Sequence, residues 1–137
     1  MKTSPYNRSQ LETAARQVAR HAHAPYSKFR VGAVVLGASG RIYAGANVEN
    51  ASLGLALCAE RSALAAASSA GEAGIVAICI ACIDAPDTAG LEQKVPCGAC
   101  RQWIQELASR ADILVAGDDR VFTIQDLLPN PFFLKRL

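Results

Sequence analysis

Several classes of protein are excluded by what this sequence has little of. Only 6% of its 137 residues are aromatic, a single tryptophan is present, and the formal net charge is +2. Surfaces that bind nucleic acids or membranes carry a larger basic excess, so neither partner is expected. No apolar run approaches the roughly 18 residues of a membrane span, and residues 1–4 do not begin a secretory signal. We therefore expect a soluble, cytoplasmic protein.

Five cysteines are the most informative part of the composition. An odd number of cysteines in a chain without a secretory signal does not favour a disulfide framework. Reduced thiols are typical of three roles, namely small core residues, metal ligands and nucleophiles. The sequence context divides these roles among Cys58, Cys79, Cys82, Cys97 and Cys100.

The hydrophobic pattern predicts a single α/β domain over residues 1–137, a length that buries a core without disulfides. Helical spacing and strong helix formers predict helices at 9–22, 59–70 and 98–108, the first ended by Pro25. Apolar runs predict a helical turn at 124–128 and strands at 31–36, 41–46, 75–83, 113–116 and 121–123, the first two as a hairpin. We expect a three-layer α/β/α sandwich around a central, mixed five-stranded sheet.

Two Cys-x-x-Cys pairs, at 79/82 and 97/100, suggest a four-cysteine zinc ribbon. The first pair lies within a predicted strand, where residues three apart point to opposite faces. Cys79 and Cys82 are therefore predicted to be small core residues. Cys97 and Cys100 instead begin a predicted helix after Pro96, where both thiols can face one point and the helix dipole favours thiolates. A dithiol redox pair is the competing interpretation, and a third ligand would decide between them.

Cys58 is a candidate for the third ligand, since it also precedes a predicted helix. Three protein ligands with one open position are typical of catalytic zinc, whereas four closed ligands are typical of structural zinc. Glu60 follows in the first helical turn, where its carboxylate can take a proton from a zinc-activated water. Three thiolates leave an excess negative charge, which Arg61 or Arg101 could offset by donating hydrogen bonds to sulfur. We favour Arg61, because it neighbours both Cys58 and Glu60.

A ligand-x-Glu pattern followed by Pro-Cys-x-x-Cys is the signature of zinc deaminases. The chain resembles the small, homotetrameric cytidine deaminases that use three cysteine ligands, roughly from residue 14 to residue 137. The resemblance is carried by APYSKFRVGA at 24–33, GANVENAS at 45–52, CAERSA at 58–63, PCGACRQ at 96–102 and LLPNPF at 127–132. Several motifs in this order are far more specific than one Cys-x-x-Cys pair.

The resemblance implies hydrolytic deamination of cytidine and deoxycytidine to uridine and deoxyuridine, with release of ammonia, in pyrimidine salvage. It implies one zinc ion per subunit on Cys58, Cys97 and Cys100, with Glu60 as the proton shuttle. It also implies a homotetramer whose active sites are shared between subunits. The implied nucleoside-binding residues are Phe29, Asn47, Glu49 and Ala59, and, from a neighbouring subunit, Ala51, Leu53 and Phe132.

Three other functions stay open. A deaminase of a modified cytosine nucleoside such as blasticidin S would share the zinc motifs. Asn47 and Glu49 favour an ordinary nucleoside, whereas Leu53 stands where the family usually has an aromatic residue and leaves room for a bulkier one. A polynucleotide-editing deaminase would need a basic, aromatic groove that this composition does not favour. A non-enzymatic zinc-binding module would need a fourth ligand, Cys79 or Cys82.

Overall fold

Helices are interspersed with strands along residues 4–137, the part of the chain that the computed structural model describes. The helices are α1 (Arg8–Ala19), α2 (Ala59–Ser69), α3 (Gly98–Leu107) and α4 (Ile124–Leu127). The strands are β1 (Val31–Gly37), β2 (Ile42–Ala46), β3 (Ile75–Cys82) and β4 (Asp112–Val115), and short 3₁₀ turns cover Leu53–Leu55 and Leu91–Gln93. Within these residues, no helix is both long enough and apolar enough to cross a membrane.

The strands form one mixed sheet in the order β2-β1-β3-β4. β1 pairs antiparallel with both of its neighbours, whereas β3 and β4 run parallel. The pairing aligns Val34 with Cys79 and Ile80 with Val115, so β3 lies in the interior of the sheet. An interior strand that is covered on both faces explains why the run from Ile75 to Cys82 is entirely apolar.

Helices cover both faces of this sheet. On one face, Leu11 of α1 packs with Cys79 of β3. On the opposite face, Leu64 of α2 and Ile104 of α3 pack with Ile80 of β3. Alternating residues of β3 thus belong to two separate cores, as the two-residue period of a strand requires. This arrangement confirms the predicted three-layer sandwich with a mixed sheet, while the single-domain organisation over residues 1–137 stays a prediction.

The predicted fifth strand, at 121–123, is reduced to a single bridge. Phe122 exchanges two backbone hydrogen bonds with Ile113, of 2.8 and 2.9 Å. The pairing ends there because the next residue, Thr123, is the N-cap of α4 and its hydroxyl accepts a hydrogen bond from the Asp126 amide. Capping of a new helix therefore competes with extension of the strand, and the sheet has four strands instead of five.

The first helix ends earlier than predicted, at Ala19, so Pro25 does not end it. The chain leaves the helix because His23 pairs with the segment that follows β2. The His23 amide donates to the Asn47 carbonyl at 2.9 Å, and the Glu49 amide donates to the His23 carbonyl at 2.7 Å. Residues 23–30 are thereby held beside the end of β2, a long-range pairing that helical periodicity does not reveal.

Close packing of α2 on β2 requires a glycine. An added Cβ at Gly45 would lie 2.5 Å from the backbone nitrogen of Ala63 and 2.8 Å from the backbone oxygen of Ala59. Real Cβ atoms do not approach backbone atoms this closely, so any side chain at this position would push the helix away from the sheet. The position of the start of α2, where Cys58 lies, therefore depends on the glycine at position 45 of β2.

We expect Gly45→Ala to lower the free energy of unfolding by about 1–3 kcal/mol, because the methyl group overpacks a backbone contact. Gly54→Ala is the matched control, since an added Cβ there meets no atom within 4 Å. Chemical denaturation of both variants measures the difference. Equal stabilities of the two variants would contradict this account of the packing between α2 and β2.

Candidate active site

Three cysteine side chains meet where two helices begin. Cys58 is the N-cap residue of α2, Cys97 is the N-cap residue of α3, and Cys100 lies in the first turn of α3. Their sulfur atoms all lie within 4.8 Å of one another, and those of Cys58 and Cys97 are 3.8 Å apart. Neither N-cap thiol makes a capping hydrogen bond with the backbone of its own helix. Both sulfur atoms therefore remain available to a common partner.

The three thiols fit a zinc ion in donor chemistry and in spacing. Zn–S bonds of about 2.3 Å in a tetrahedron place neighbouring sulfurs about 3.8 Å apart, and Cys58 and Cys97 already have this separation. Thiolates are soft donors that zinc accepts readily. Three protein ligands leave one tetrahedral position for water or substrate, the arrangement typical of catalytic zinc.

Arg61 contacts the ligand group directly. Its Nη2 atom donates to Cys58 Sγ and to the Ala56 carbonyl, each at 3.4 Å. Hydrogen bonds from the Cys100 thiol and, to a smaller extent, from Arg61 lower the pKa of Cys58 to about 5. The same hydrogen bond raises the pKa of Cys100, because Cys100 is its donor. Arg101, the other arginine considered from the sequence, instead donates to backbone carbonyls, including that of Pro96 at 2.7 Å.

Glu60 lies in the first turn of α2 and is only 5% exposed. Burial raises the pKa of its carboxyl group to about 7. A carboxyl group with this pKa exists in both protonation states near neutral pH, which suits a group that takes and returns a proton. Glu60 lines the same small cavity as Cys58 and Cys97, so proton transfer and metal binding would occur at one place.

That cavity has a volume of about 170 Å³. Of the residues that the resemblance implies for nucleoside binding, Phe29, Asn47 and Ala59 line it. The Asn47 side chain also organises the cavity wall, because its Oδ1 accepts from the Val31 amide at 2.7 Å and its Nδ2 donates to the Phe29 carbonyl at 3.0 Å. Asn47 therefore has a structural role in addition to its place in the cavity.

Glu49, Ala51, Leu53 and Phe132 do not line the cavity. Glu49 Oε1 accepts hydrogen bonds from the backbone amides of Tyr26 and Ser27, at 3.0 and 3.2 Å. A further hydrogen bond from Ser27 is the main cause that holds the pKa of Glu49 below its usual range. Leu53 and Phe132 are 78% and 70% exposed. One copy of the chain thus leaves these residues on its surface, outside the cavity.

Several cavity residues were missed by reasoning from the sequence. These are Val31, Ile80, Cys82 and the loop residues Gln93 and Lys94. Strand periodicity could have placed Ile80 and Cys82 on one face, because they are two residues apart. The irregular loop from Asp84 to Pro96 carries no pattern from which its position could be inferred.

Cys79 and Cys82 stay outside the ligand group. Cys79 is fully buried against α1, whereas Cys82 packs on the opposite face of the sheet. Among residues 4–137, the group able to hold a metal ion consists of Cys58, Cys97 and Cys100. The fourth ligand that a non-enzymatic zinc-binding module would need is therefore not part of this group.

A family model described as the cytidine and deoxycytidylate deaminase zinc-binding region matches residues 5–116. The chain belongs to this deaminase family. Its curated relatives include a cytidine deaminase of Halalkalibacterium halodurans, 42% identical over 92% of this chain and 94% of the relative. A probable cytidine deaminase of Dictyostelium discoideum is 38% identical over 92% and 86% of the two chains. The resemblance inferred from the sequence and the expected zinc ion are thereby confirmed.

Solved structures of deaminases share the fold. The crystal structure of cytidine deaminase from Mycobacterium tuberculosis superimposes with a TM-score of 0.80 and 37% identity, over 94% of this chain and 99% of the other. The 1.6 Å crystal structure of cytidine deaminase from Burkholderia pseudomallei gives a TM-score of 0.77 and 38% identity, over 93% and 100%. The α/β deaminase fold therefore extends over nearly the whole chain.

Zinc content should depend on the cysteines at the helix starts and not on those of β3. We expect Cys97→Ser to lose its zinc on dialysis, because a hydroxyl is a much poorer zinc ligand than a thiolate. Cys79→Ala is the matched control and should keep one zinc per chain. Elemental analysis of the dialysed proteins measures both. Zinc loss from Cys79→Ala, or full retention by Cys97→Ser, would contradict the ligand assignment.

Proposed function

We propose that this protein is a zinc-dependent cytidine deaminase that hydrolyses cytidine and deoxycytidine to uridine and deoxyuridine and releases ammonia. The observation that carries the proposal is the meeting of three thiols and a buried carboxyl group at one small cavity. Cys58, Cys97 and Cys100 are the zinc ligands, and Glu60 is the catalytic acid and base. Family membership supports the same reaction.

Zinc bound by the three thiolates would supply a water molecule that is activated for attack on C4 of the pyrimidine. Glu60 takes the proton of this water as the attack begins, since its pKa of about 7 allows it to act as a base at neutral pH. It delivers that proton to N3 of the ring, which makes C4 more electrophilic. Glu60 then carries the proton of the new C4 hydroxyl group to the exocyclic amino group. The C4–N bond breaks as C4 becomes a carbonyl carbon, and the amino group leaves as ammonia.

The charge of the ligand group is limited by Arg61. Three thiolates on a divalent ion give a net charge of −1, which works against removal of a proton from the bound water. The Arg61 guanidinium donates to Cys58 Sγ at 3.4 Å and offsets part of this charge. Arg61 is therefore a positioning and charge-balancing residue that does not touch the substrate.

The cavity of a single chain is too small to enclose a nucleoside. Pockets that bury a small molecule usually measure about 300–1,000 Å³, whereas this cavity measures about 170 Å³. The pyrimidine ring enters beside Phe29 and Ala59, and the sugar extends toward Asn47 and Glu49. Part of the sugar then lies outside the cavity of this chain and must be covered by other residues.

A neighbouring subunit of a homotetramer would provide that cover. Four large apolar side chains are each at least 70% exposed, and their burial would favour association between copies. They are Leu53, Leu55, Phe132 and Phe133. In this arrangement Ala51, Leu53 and Phe132 of one copy close the cavity of another. The cytoplasm is the expected location of the tetramer, because the three metal ligands are thiols that a reducing compartment preserves.

Glu60→Gln should keep zinc but lose at least about a hundredfold in kcat, because the amide cannot carry a proton. Glu106→Gln is the matched control, since Glu106 is exposed on α3 and does not line the cavity. Turnover is followed by loss of cytosine absorbance, and zinc by elemental analysis. Substantial turnover by Glu60→Gln would overturn the role given to this carboxyl group.

A substrate panel tests the proposed function itself. We expect purified protein to deaminate cytidine and deoxycytidine, and to act poorly on free cytosine, because the sugar contacts at Asn47 and Glu49 would be missing. Cytidine monophosphate and blasticidin S complete the panel. Turnover of blasticidin S with none of cytidine would establish the modified-nucleoside alternative. Turnover of free cytosine alone would remove the sugar-binding role of Asn47 and Glu49.

A further inference from the structure

One cysteine in the cavity takes no part in metal binding or proton transfer. Cys82 ends β3, is half-buried, and lines the same cavity as Glu60. Val31, its partner on β1, lines the cavity too, as does Ile80, two residues earlier on β3. These three side chains come from one face of the sheet. We call this surface the sheet floor: Val31, Ile80 and Cys82.

The Cys82 thiol has only a weak hydrogen bond. Its acceptor is the backbone carbonyl oxygen of Lys94, 4.0 Å from the sulfur, a distance at which a thiol donates little. Burial raises the pKa of Cys82 to about 11, so the group is a neutral thiol at neutral pH. A neutral, polarisable sulfur beside open space is well suited to contact an aromatic ring.

The chemistry of the reaction limits which part of a bound cytidine can face the sheet floor. C4 must lie toward the three cysteines, and N3 must lie within reach of Glu60. The sugar on N1 must extend toward the open side of the cavity. C2 carries the exocyclic carbonyl oxygen, so C5 and C6 are the ring carbons that carry hydrogen and can bear an added substituent. The edge formed by C5 and C6 is therefore the edge left to meet the floor.

We propose that Cys82 is a specificity-determining residue, whose thiol contacts the C5–C6 edge of the bound pyrimidine and limits the size of substituents on that edge. The inference rests on the proposed deaminase function. Cys82 lies at the end of β3, beside the irregular loop that leads to Pro96. A larger side chain there would narrow the cavity between the sheet and this loop, and a smaller one would widen it.

The experiment compares cytidine with cytidines that carry a methyl, bromine or iodine substituent on C5, or a methyl group on C6. We expect Cys82→Ala to lower the ratio of kcat/KM for cytidine to kcat/KM for the bulkiest tolerated substrate by about tenfold. A change of this size is the usual effect of adding or removing one methylene-sized group in a pocket. We expect Cys82→Leu to raise the KM for cytidine by more than about tenfold with kcat nearly unchanged, because the contact exists before and during the reaction.

Cys79→Ala is the matched control, because Cys79 lies on the same strand but faces α1. Its preference among the substrates should equal that of the unsubstituted protein. Zinc content and melting temperature are recorded for every variant. Increased activity of Cys82→Ala on bulky substrates cannot result from misfolding, because misfolding lowers activity on every substrate. An unchanged preference in Cys82→Ala would overturn the inference while leaving the proposed function intact. Failure of the unsubstituted protein to deaminate cytidine would overturn both.

Discussion

The site depends on the convergence of two helix starts on one point. Cys58 and Cys97 occupy N-cap positions, where a serine would accept a hydrogen bond from the helix and contribute about 1 kcal/mol. Both thiols forgo that bond. Their sulfur atoms instead remain beside the positive partial charges of the free N–H groups of each first turn. Each helix thus gives up part of its capping stabilisation so that sulfur remains available for a metal ion.

The pKa values of neighbouring ionisable groups at this point shift in opposite directions. Hydrogen bonds from Cys100 and Arg61 lower the pKa of Cys58 to about 5, whereas burial raises that of Glu60 to about 7. The two residues are separated by only one position in the chain, so the difference comes from what surrounds each side chain. One turn of helix therefore presents a ligand that ionises readily next to a carboxyl group that can gain and lose a proton.

The parts of the site that follow from local signals were predictable, and the parts that follow from long-range pairing were not. Helix starts at Cys58 and Cys97 are marked by their neighbours, and strand periodicity separates Cys79 from Cys82. The early end of α1 depends on His23, whose partners lie more than twenty residues away. The position of Cys82 in the cavity depends on how the loop before Pro96 folds over the sheet. Neither the end of α1 nor the position of Cys82 can be inferred from the residues adjacent to it in the chain.

The substrate side of the cavity is positioned by hydrogen bonds from two side chains. Asn47 and Glu49 follow β2 and hold the backbone of residues 26–31 through four hydrogen bonds. These bonds do not exhaust their capacity. The Asn47 amide has a second N–H, and a carboxylate has about four acceptor positions, of which backbone amides take two at Glu49. The same two side chains can therefore hold this backbone segment and still bind sugar hydroxyls, so a structural role and a nucleoside-binding role do not exclude each other.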